Sequence, residues 1–443
     1  MADVAHCWGF LLLVAIILTF TCKTVGEDDL DDLAFQAGNQ QNVQFGPAKK
    51  MRYLLYSINP GEGFNLRRDV YMRVANLVKL LNEKEPFTLV LPPWGRLYHW
   101  KSNIRQLQLP WSHFFDIDSL ARHVPVMEFE DFLKVNRKPE IDIIYYLQRF
   151  KEGWRDGKWE ERIEFRDCID DTGFKKDKDG RWRWWFWGYE QVYGKKFSCV
   201  SLQLEYKGLV PFLMKNADST VQSIFLGRAE KLTHGSHSEW SKEWWTARRS
   251  MRFAKRLRDV GDKFRLENLN STDETDQTVL DPDWRTMRRE RGTAVGGPYM
   301  AVHLRRLDYK YAHKENVPSI PHAAKQIKKA LKKNKLDVVY ISTDAPDDEL
   351  DELRRELKGV TVTRFERTKE ALNEYKDGGI AIIEQWICAH ARYFMGTAYS
   401  TFSFRLHEER EILGFSPEST YNCFCGTGKD TCDQPSKWIT KYE

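Results

Sequence analysis

The spacing of hydrophobic and polar residues changes along the chain, and each spacing predicts a type of element. Residues 52–58 form a short apolar run bounded by turn residues, which predicts a buried strand. Residues 59–64 (NPGEGF) combine two glycines and a proline with one carboxylate, Glu62, and predict a loop. Asn65 is a good N-cap residue and predicts the start of a helix. Apolar residues then follow at helical spacing: Leu66, Val70, Val74, Val78 and Leu81.

The remainder of the first half predicts more strands with helical patches between them. The strand-like runs are residues 87–91, 124–128, 141–147 and 221–226. Strands that alternate with helices indicate a parallel sheet. Residues 154–194 interrupt this rhythm with charged and aromatic side chains, and they predict an inserted loop region.

The second half opens with helical spacing over residues 243–266, which predicts one long helix, and a polar stretch follows to residue 297. A regular βαβ series then continues to residue 412, typical of a Rossmann-like domain. The strands of this series are predicted at residues 299–304, 338–342, 360–365 and 393–396. We therefore predict an α/β fold with two Rossmann-like domains that face a cleft, at residues 47–235 and 236–443.

The amino terminus carries an apolar run at residues 7–22, which is too short for a comfortable membrane span. Small residues follow at 24–26, so residues 1–26 predict a cleaved signal peptide, with a type II anchor as the alternative. The acidic and Gln/Asn-rich residues 27–46 predict a disordered leader. No other stretch predicts a membrane span.

A secretory signal implies an oxidising compartment. Six cysteines remain after the predicted cleavage, and their pairing is left open by the sequence alone: Cys168, Cys199, Cys388, Cys423, Cys425 and Cys432. Asn270 begins an N-glycosylation sequon, which predicts a surface position.

Composition narrows the possible functions only slightly. The net charge of +5 over 443 residues does not indicate nucleic-acid binding. The 16 tryptophans are partly clustered, which suits contacts with sugars or proteins, although buried packing explains most such residues.

Candidate chemistry lies where predicted strands end. Glu62 is a possible general base, the alternative being a solvated turn glutamate. Arg305 ends the strand that carries His303, and a guanidinium there can bind a phosphate bidentately. Ser400 and Thr401 precede a helix and can form an anion site or act as plain N-caps. Glu384 can accept hydrogen bonds from guanine or be a solvated helical carboxylate.

Motifs of other enzyme classes are missing from the sequence. There is no GxGxxG after a strand, no P-loop, no HExxH and no paired CxxC. DxD triplets occur at residues 177–179 and 281–283, both in predicted loops, and chance explains them in a chain so rich in charge.

Several long motifs resemble the GDP-fucose protein O-fucosyltransferases, from about residue 52 to the carboxyl terminus. The resemblance is carried by residues 59–77, 89–100, 185–190, 248–265, 296–306, 375–397 and 400–414. It implies a GT-B fold, inversion at the anomeric carbon, no metal and no other cofactor. GDP-fucose would be the donor substrate.

The resemblance also assigns roles to individual residues. Glu62 would be the catalytic base, and Arg305 would contact the diphosphate. The other implied donor contacts are Gly61, Gly63, Phe64, Asn65, His303, Glu384, Ser400, Thr401 and Phe402. Gly61 stands where the family has proline, and Glu384 where it has aspartate. Disulfides between Cys168 and Cys199 and between Cys425 and Cys432 are implied in the same way.

The implied acceptors are Ser or Thr hydroxyls of folded thrombospondin type 1 repeats, and the implied location is the lumen of the endoplasmic reticulum. Two alternatives remain: an O-fucosyltransferase for EGF-like repeats, and a non-catalytic carbohydrate-binding or quality-control module. Glu62 and Arg305 together favour an enzyme.

Overall fold

The computed structural model describes residues 51–95, 97–153, 158–215, 222–232, 241–435 and 439–442. The predicted signal peptide and leader lie outside these residues.

The first half of the described chain builds a nine-stranded sheet in the order β3-β2-β1-β9-β4-β8-β7-β6, with β5 antiparallel on β8. Its strands are β1 (Arg52–Tyr56), β2 (Phe87–Leu91), β3 (Val126–Glu128), β4 (Glu140–Gln148), β5 (Arg162–Phe165), β6 (Lys175–Lys176), β7 (Trp182–Arg183), β8 (Tyr193–Gln203) and β9 (Ser223–Gly227). Strands β1–β4, β8 and β9 pair in parallel, so their carboxyl ends share one edge of the sheet.

Helices follow the strands of the first sheet along the chain up to the second sheet, and they cover the apolar faces of the first sheet. They are α1 (Phe64–Asn82), α2 (Ile117–Ala121), α3 (Phe129–Val135), α4 (Leu209–Lys215), α5 (Lys242–Ser250), α6 (Lys255–Leu269) and α7 (Asp273–Asp276). Helix α1 is buried almost all round, including Arg68 and Asp69, because β2 and helices from both halves of the chain pack against it.

Two sequence predictions for this part of the chain are wrong. Residues 158–194 are not only loop, since β5 and β7 pair antiparallel with β8, and β6 pairs antiparallel with β7. Phe186 and Trp187, which follow β7, are buried. Residues 243–266 are not one helix but two, α5 and α6, with a break at residues 251–254. The break arises because the backbone at Arg252 and Ala254 bonds to the segment around Phe114 instead of continuing the helix.

The second sheet is fully parallel, in the order β12-β11-β10-β13-β14. Its strands are β10 (Gly297–Leu304), β11 (Val338–Thr343), β12 (Thr361–Thr363), β13 (Ala391–Gly396) and β14 (Asn422–Cys423). This is the Rossmann order 3-2-1-4-5, in which ligands bind where the order reverses, beyond the carboxyl ends of the strands. That point lies between β10 and β13.

The helices of this half are α8 (Tyr309–Ala312), α9 (Ile320–Asn334), α10 (Asp347–Glu356), α11 (Lys369–Ala389), α12 (Thr401–Leu413) and α13 (Pro417–Thr420). One hydrophobic core cluster contains side chains from both sheets, among them Leu54 of β1, Ala301 of β10 and Tyr340 of β11. The predicted boundary at residue 235 stays a prediction.

The cysteines pair as the resemblance implied, Cys168 with Cys199 and Cys425 with Cys432. Cys388 and Cys423 are free and buried. Asn270 is exposed at the end of α6 in a left-handed conformation, so the predicted surface position of the sequon is confirmed. Glycosylation of Asn270 stays a prediction.

Candidate functional site

The Glu62 loop follows β1 and is held in place by the first turn of α1. The Nε of Arg67 donates to the backbone oxygen of Glu62 (2.9 Å), and its Nη2 donates to that of Asn59 (3.2 Å). The Glu62 side chain is half-buried. Burial first, and then the negative charge of Glu230, raise the pKa of Glu62 above its ordinary value of 4.5. A carboxylate with a raised pKa is a stronger base.

Helix α1 begins two residues earlier than the sequence predicted, because Gly63 is its N-cap and not Asn65. Phe64 is buried in a cluster of aromatic rings, which fixes the start of the helix: Trp94, Trp100, Phe114 and Phe115. The Oδ1 of Asn65 accepts hydrogen bonds from Arg68 (3.2 Å) and from Gln385 of α11 (3.1 Å). The N–H of Gly61 donates to Oδ1 of Asn59 (3.3 Å), and the carbonyl of Gly63 accepts from the N–H of Arg67 (3.0 Å), whereas the Phe64 ring faces the core.

The ends of β10 and β13 are joined by a short hydrogen-bonded network. The hydroxyl of Thr397 accepts from the Arg305 N–H (2.9 Å) and donates to the His303 carbonyl (2.8 Å). The hydroxyl of Ser403 accepts from the Thr397 N–H (3.1 Å) and contacts Nδ1 of His303 (2.9 Å). The structure therefore brings His303, Arg305 and the start of α12 together at the reversal point of the sheet.

The predicted nucleotide contacts lie around the amino terminus of α12. Ser400 is the N-cap residue, and its side chain makes no capping hydrogen bond. The ring of Phe402 stacks on His303 with centroids 4.2 Å apart. Burial, with a smaller contribution from the charge of Arg305, lowers the pKa of His303 to about 3, so the imidazole is neutral. The backbone amides at the start of a 13-residue helix favour an anion.

Arg305 and Arg306 point to different surroundings, as strand alternation predicts. The Nη2 of Arg305 donates to Asp308 (2.7 Å), and its Nη1 lies 2.9 Å from Oδ2 of Asp344. The Nε of Arg306 instead donates to Glu349 (2.6 Å), and Arg306 is buried. Arg305 thus belongs to the candidate site, whereas Arg306 belongs to the scaffold.

Glu384 is buried on α11, and both of its carboxylate oxygens have partners. The guanidinium of Arg367 donates to Oε1 and Oε2 (2.9 Å each), and the hydroxyl of Ser342 donates to Oε2 (2.7 Å). A guanine contact at Glu384 stays a prediction, and it would have to share the carboxylate with Arg367.

His99 is a residue of the site that the sequence analysis did not single out. Its Nδ1 lies 3.3 Å from Nη2 of Arg305, and a Cβ placed on Gly63 would lie 3.0 Å from its Cδ2. The imidazole therefore lies between the Glu62 loop and the second half. One signal was available, since His99 follows β2, and β2 ends at the same sheet edge as the neighbouring strand β1.

The sequence of the chain matches a known protein family. The family model described as GDP-fucose protein O-fucosyltransferase matches residues 53–413. The chain belongs to the GDP-fucose protein O-fucosyltransferase family. As a member of it, the protein is a peptide-O-fucosyltransferase that transfers fucose from GDP-fucose to proteins.

Individual relatives of this fucosyltransferase match over most of its length. GDP-fucose protein O-fucosyltransferase 2 of Homo sapiens is 50% identical over 402 residues, which cover 90% of this chain and 92% of the relative. The Caenorhabditis elegans protein of the same name is 44% identical over 422 residues, 93% of this chain and 97% of its own. The crystal structure of POFUT1 in complex with GDP-fucose gives a TM-score of 0.55 at 16% identity, covering 84% of this chain and 97% of that chain. The predicted α/β GT-B fold is confirmed.

Within the described ranges, no group of three or more His, Cys, Asp or Glu side chains could hold a metal ion. No helix among those residues is long and apolar enough to cross a membrane. Of the DxD aspartates, Asp177 pairs with Arg183 and Asp283 with Arg285.

Proposed function

We propose that this enzyme transfers fucose from GDP-β-L-fucose to Ser or Thr hydroxyls of folded thrombospondin type 1 repeats, with inversion and without a metal ion. The observation that carries the proposal is the contact series from Gly63 through His99 to Arg305. In this series, His99 lies between the loop that carries Glu62 and the guanidinium of Arg305, which follows the carboxyl end of β10. The names of the relatives support a protein acceptor.

In this mechanism Glu62 takes the proton of the acceptor hydroxyl while the hydroxyl oxygen of the acceptor attacks the anomeric carbon. The bond from that carbon to the diphosphate breaks, and Arg305 stabilises the charge that grows on the leaving GDP. The amides at the start of α12 provide further positive potential. Direct displacement needs the base and the leaving group on opposite faces of the sugar, and this inverts the anomeric centre.

The acceptor class is tested by incubating the purified enzyme and GDP-fucose with a folded thrombospondin type 1 repeat and with a folded EGF-like repeat. Mass spectrometry should show the added fucose on the thrombospondin repeat alone. Transfer to the EGF-like repeat alone would favour the alternative acceptor, and transfer to neither would favour a non-catalytic module. A reduced and alkylated repeat should accept little fucose.

Two further measurements test the mechanism. NMR of the product should show the anomeric configuration opposite to that of the donor, whereas retention would contradict direct displacement. Transfer should persist in EDTA, because we assign charge neutralisation to Arg305 and α12. A rate restored only by added manganese would contradict the metal-free mechanism.

We also propose that the enzyme resides in the lumen of the endoplasmic reticulum. The apolar run at residues 7–22, the exposed Asn270 and the two disulfides support a secretory route. Microscopy and digestion of the N-glycan with endoglycosidase H test this. A glycan-free protein in the cytosol would contradict it.

A further inference from the structure

The two nitrogens of His99 have different surroundings, and this fixes the tautomer of the ring. The Nδ1 lies 3.3 Å from Nη2 of Arg305. A guanidinium has only N–H donors, so Nδ1 must be the acceptor and the ring proton must be on Nε2. Burial, and then the positive charge of Arg305, lower the pKa of His99 below its ordinary value of 6.5, which favours this neutral form. The other charged groups that act on the ring are those of Asp308, Lys101 and Asp344.

The opposite edge of the ring lies on Gly63. A Cβ there would be 3.0 Å from Cδ2 and 3.4 Å from Nε2 of His99, so any larger residue would press on the ring. Gly63 directly follows Glu62 and caps α1. One imidazole therefore contacts the loop of the base and the guanidinium proposed for the diphosphate.

The other partners of Arg305 differ from His99 in charge. Asp308 accepts from Nη2 at 2.7 Å, and Asp344 lies 2.9 Å from Nη1. Both are carboxylates, and they compete with a diphosphate for the same guanidinium. His99 is neutral, so its hydrogen bond to Nη2 is compatible with a bound anion. It accounts for one Nη2 hydrogen and Asp308 for the other.

We propose that His99 is a positioning residue for fucose transfer, which holds the Arg305 guanidinium toward the Glu62 loop by accepting a hydrogen bond at Nδ1. The inference rests on the proposed role of Arg305 at the diphosphate. It adds that the donor site is completed by the first half of the chain.

The test compares three variants by calorimetric titration with GDP, steady-state kinetics and thermal melting. His99→Ala should weaken GDP binding roughly 10-fold, the effect of losing one hydrogen bond to a charged group. His99→Asn should stay within about 3-fold of the wild type, because its Oδ1 replaces Nδ1 as the acceptor. Tyr98→Ala is the matched control, since this exposed neighbour packs edge-on against His99 at 4.9 Å and should not alter GDP affinity. All three variants should have the melting temperature of the wild type.

The outcomes separate this inference from the proposed function. Full GDP affinity in His99→Ala, or an equal loss in His99→Asn and His99→Ala, would overturn the role of Nδ1. In a background of Arg305→Ala, adding His99→Ala should cause no further loss, because both changes remove the same interaction. Additive losses would overturn the inference alone. Unchanged affinity in Arg305→Ala would instead contradict the proposed function, and the inference with it.

Discussion

Arg248 of α5 and Glu408 of α12 form an ion pair of 2.6 Å between two fully buried side chains. Arg248 also binds Glu409 at 2.7 Å, and Arg405 binds Asp69 of α1 at 2.6 Å. These charges join three helices that lie far apart in sequence. The cluster fixes α1, and so the loop that precedes it, relative to the second half.

Replacing Arg248 should therefore destabilise the whole fold. Arg248→Met would leave Glu408 without one of its two cationic partners in a site from which water is excluded, at a cost of about 3–5 kcal/mol. Urea unfolding measures the loss. The matched control is Lys255→Met, which removes an exposed pair with Asp259 and should cost less than about 1 kcal/mol. Equal losses of unfolding free energy in the two variants would show that the buried pair stabilises the fold no more than the exposed pair.

Glu62→Gln should fold and bind GDP normally and yet lose most transfer activity. The amide keeps the shape of the side chain but cannot take the acceptor proton. If the general base has its usual effect, turnover should fall by at least about 10². The measurement is turnover on a folded repeat, with melting and GDP titration of the same sample as controls. Near-normal turnover would exclude Glu62 as the base, and early melting would indicate a structural role.

The dependence of transfer on pH should reveal the raised pKa of Glu62. The carboxylate is the active form, so activity is present above its pKa and is lost as the pH falls through it. Because the pKa is raised, that loss should begin above the ordinary value of 4.5. Glu230→Gln removes the second cause of the shift and should move the loss to lower pH. An unchanged profile of kcat/KM would contradict the assignment.

Arg305 and Arg306 provide a pair of substitutions with opposite expectations. Arg305→Ala should weaken GDP binding and lower the rate with little change in melting, because its side chain serves the site. Arg306→Ala should melt earlier, since it removes one of the two cationic partners of Glu349 from a buried position, while GDP affinity changes little. Calorimetric titration with GDP and thermal melting of both variants test these two expectations. The reverse pattern would exchange the roles assigned to the two arginines.

Much of the fold could be predicted from periodicity. Strands β1, β2, β10 and β11 were located to within about two residues, because buried parallel strands appear as short apolar runs between turn residues. The single helix at residues 243–266 was wrong, since nothing local marks the break at Arg252. Its carbonyl is taken up by the distant Asp116. The strands within residues 158–194 were missed because they are short and pair only at the edge of the sheet.

The sequence by itself determined the βαβ rhythm, and its motifs carried the resemblance that implied the family, the two cysteine pairs and the choice of Glu62 and Arg305. These follow from local spacing and from motifs that are contiguous in the chain. Only the tertiary structure decided that Gly63 caps α1, that Asn65 bonds to Gln385, and that His99 lies against Arg305. The contacts of Asn65 with Gln385 and of His99 with Arg305 join residues that are 320 and 206 positions apart. They depend on how the two halves of the chain pack against each other, and no local pattern records that packing.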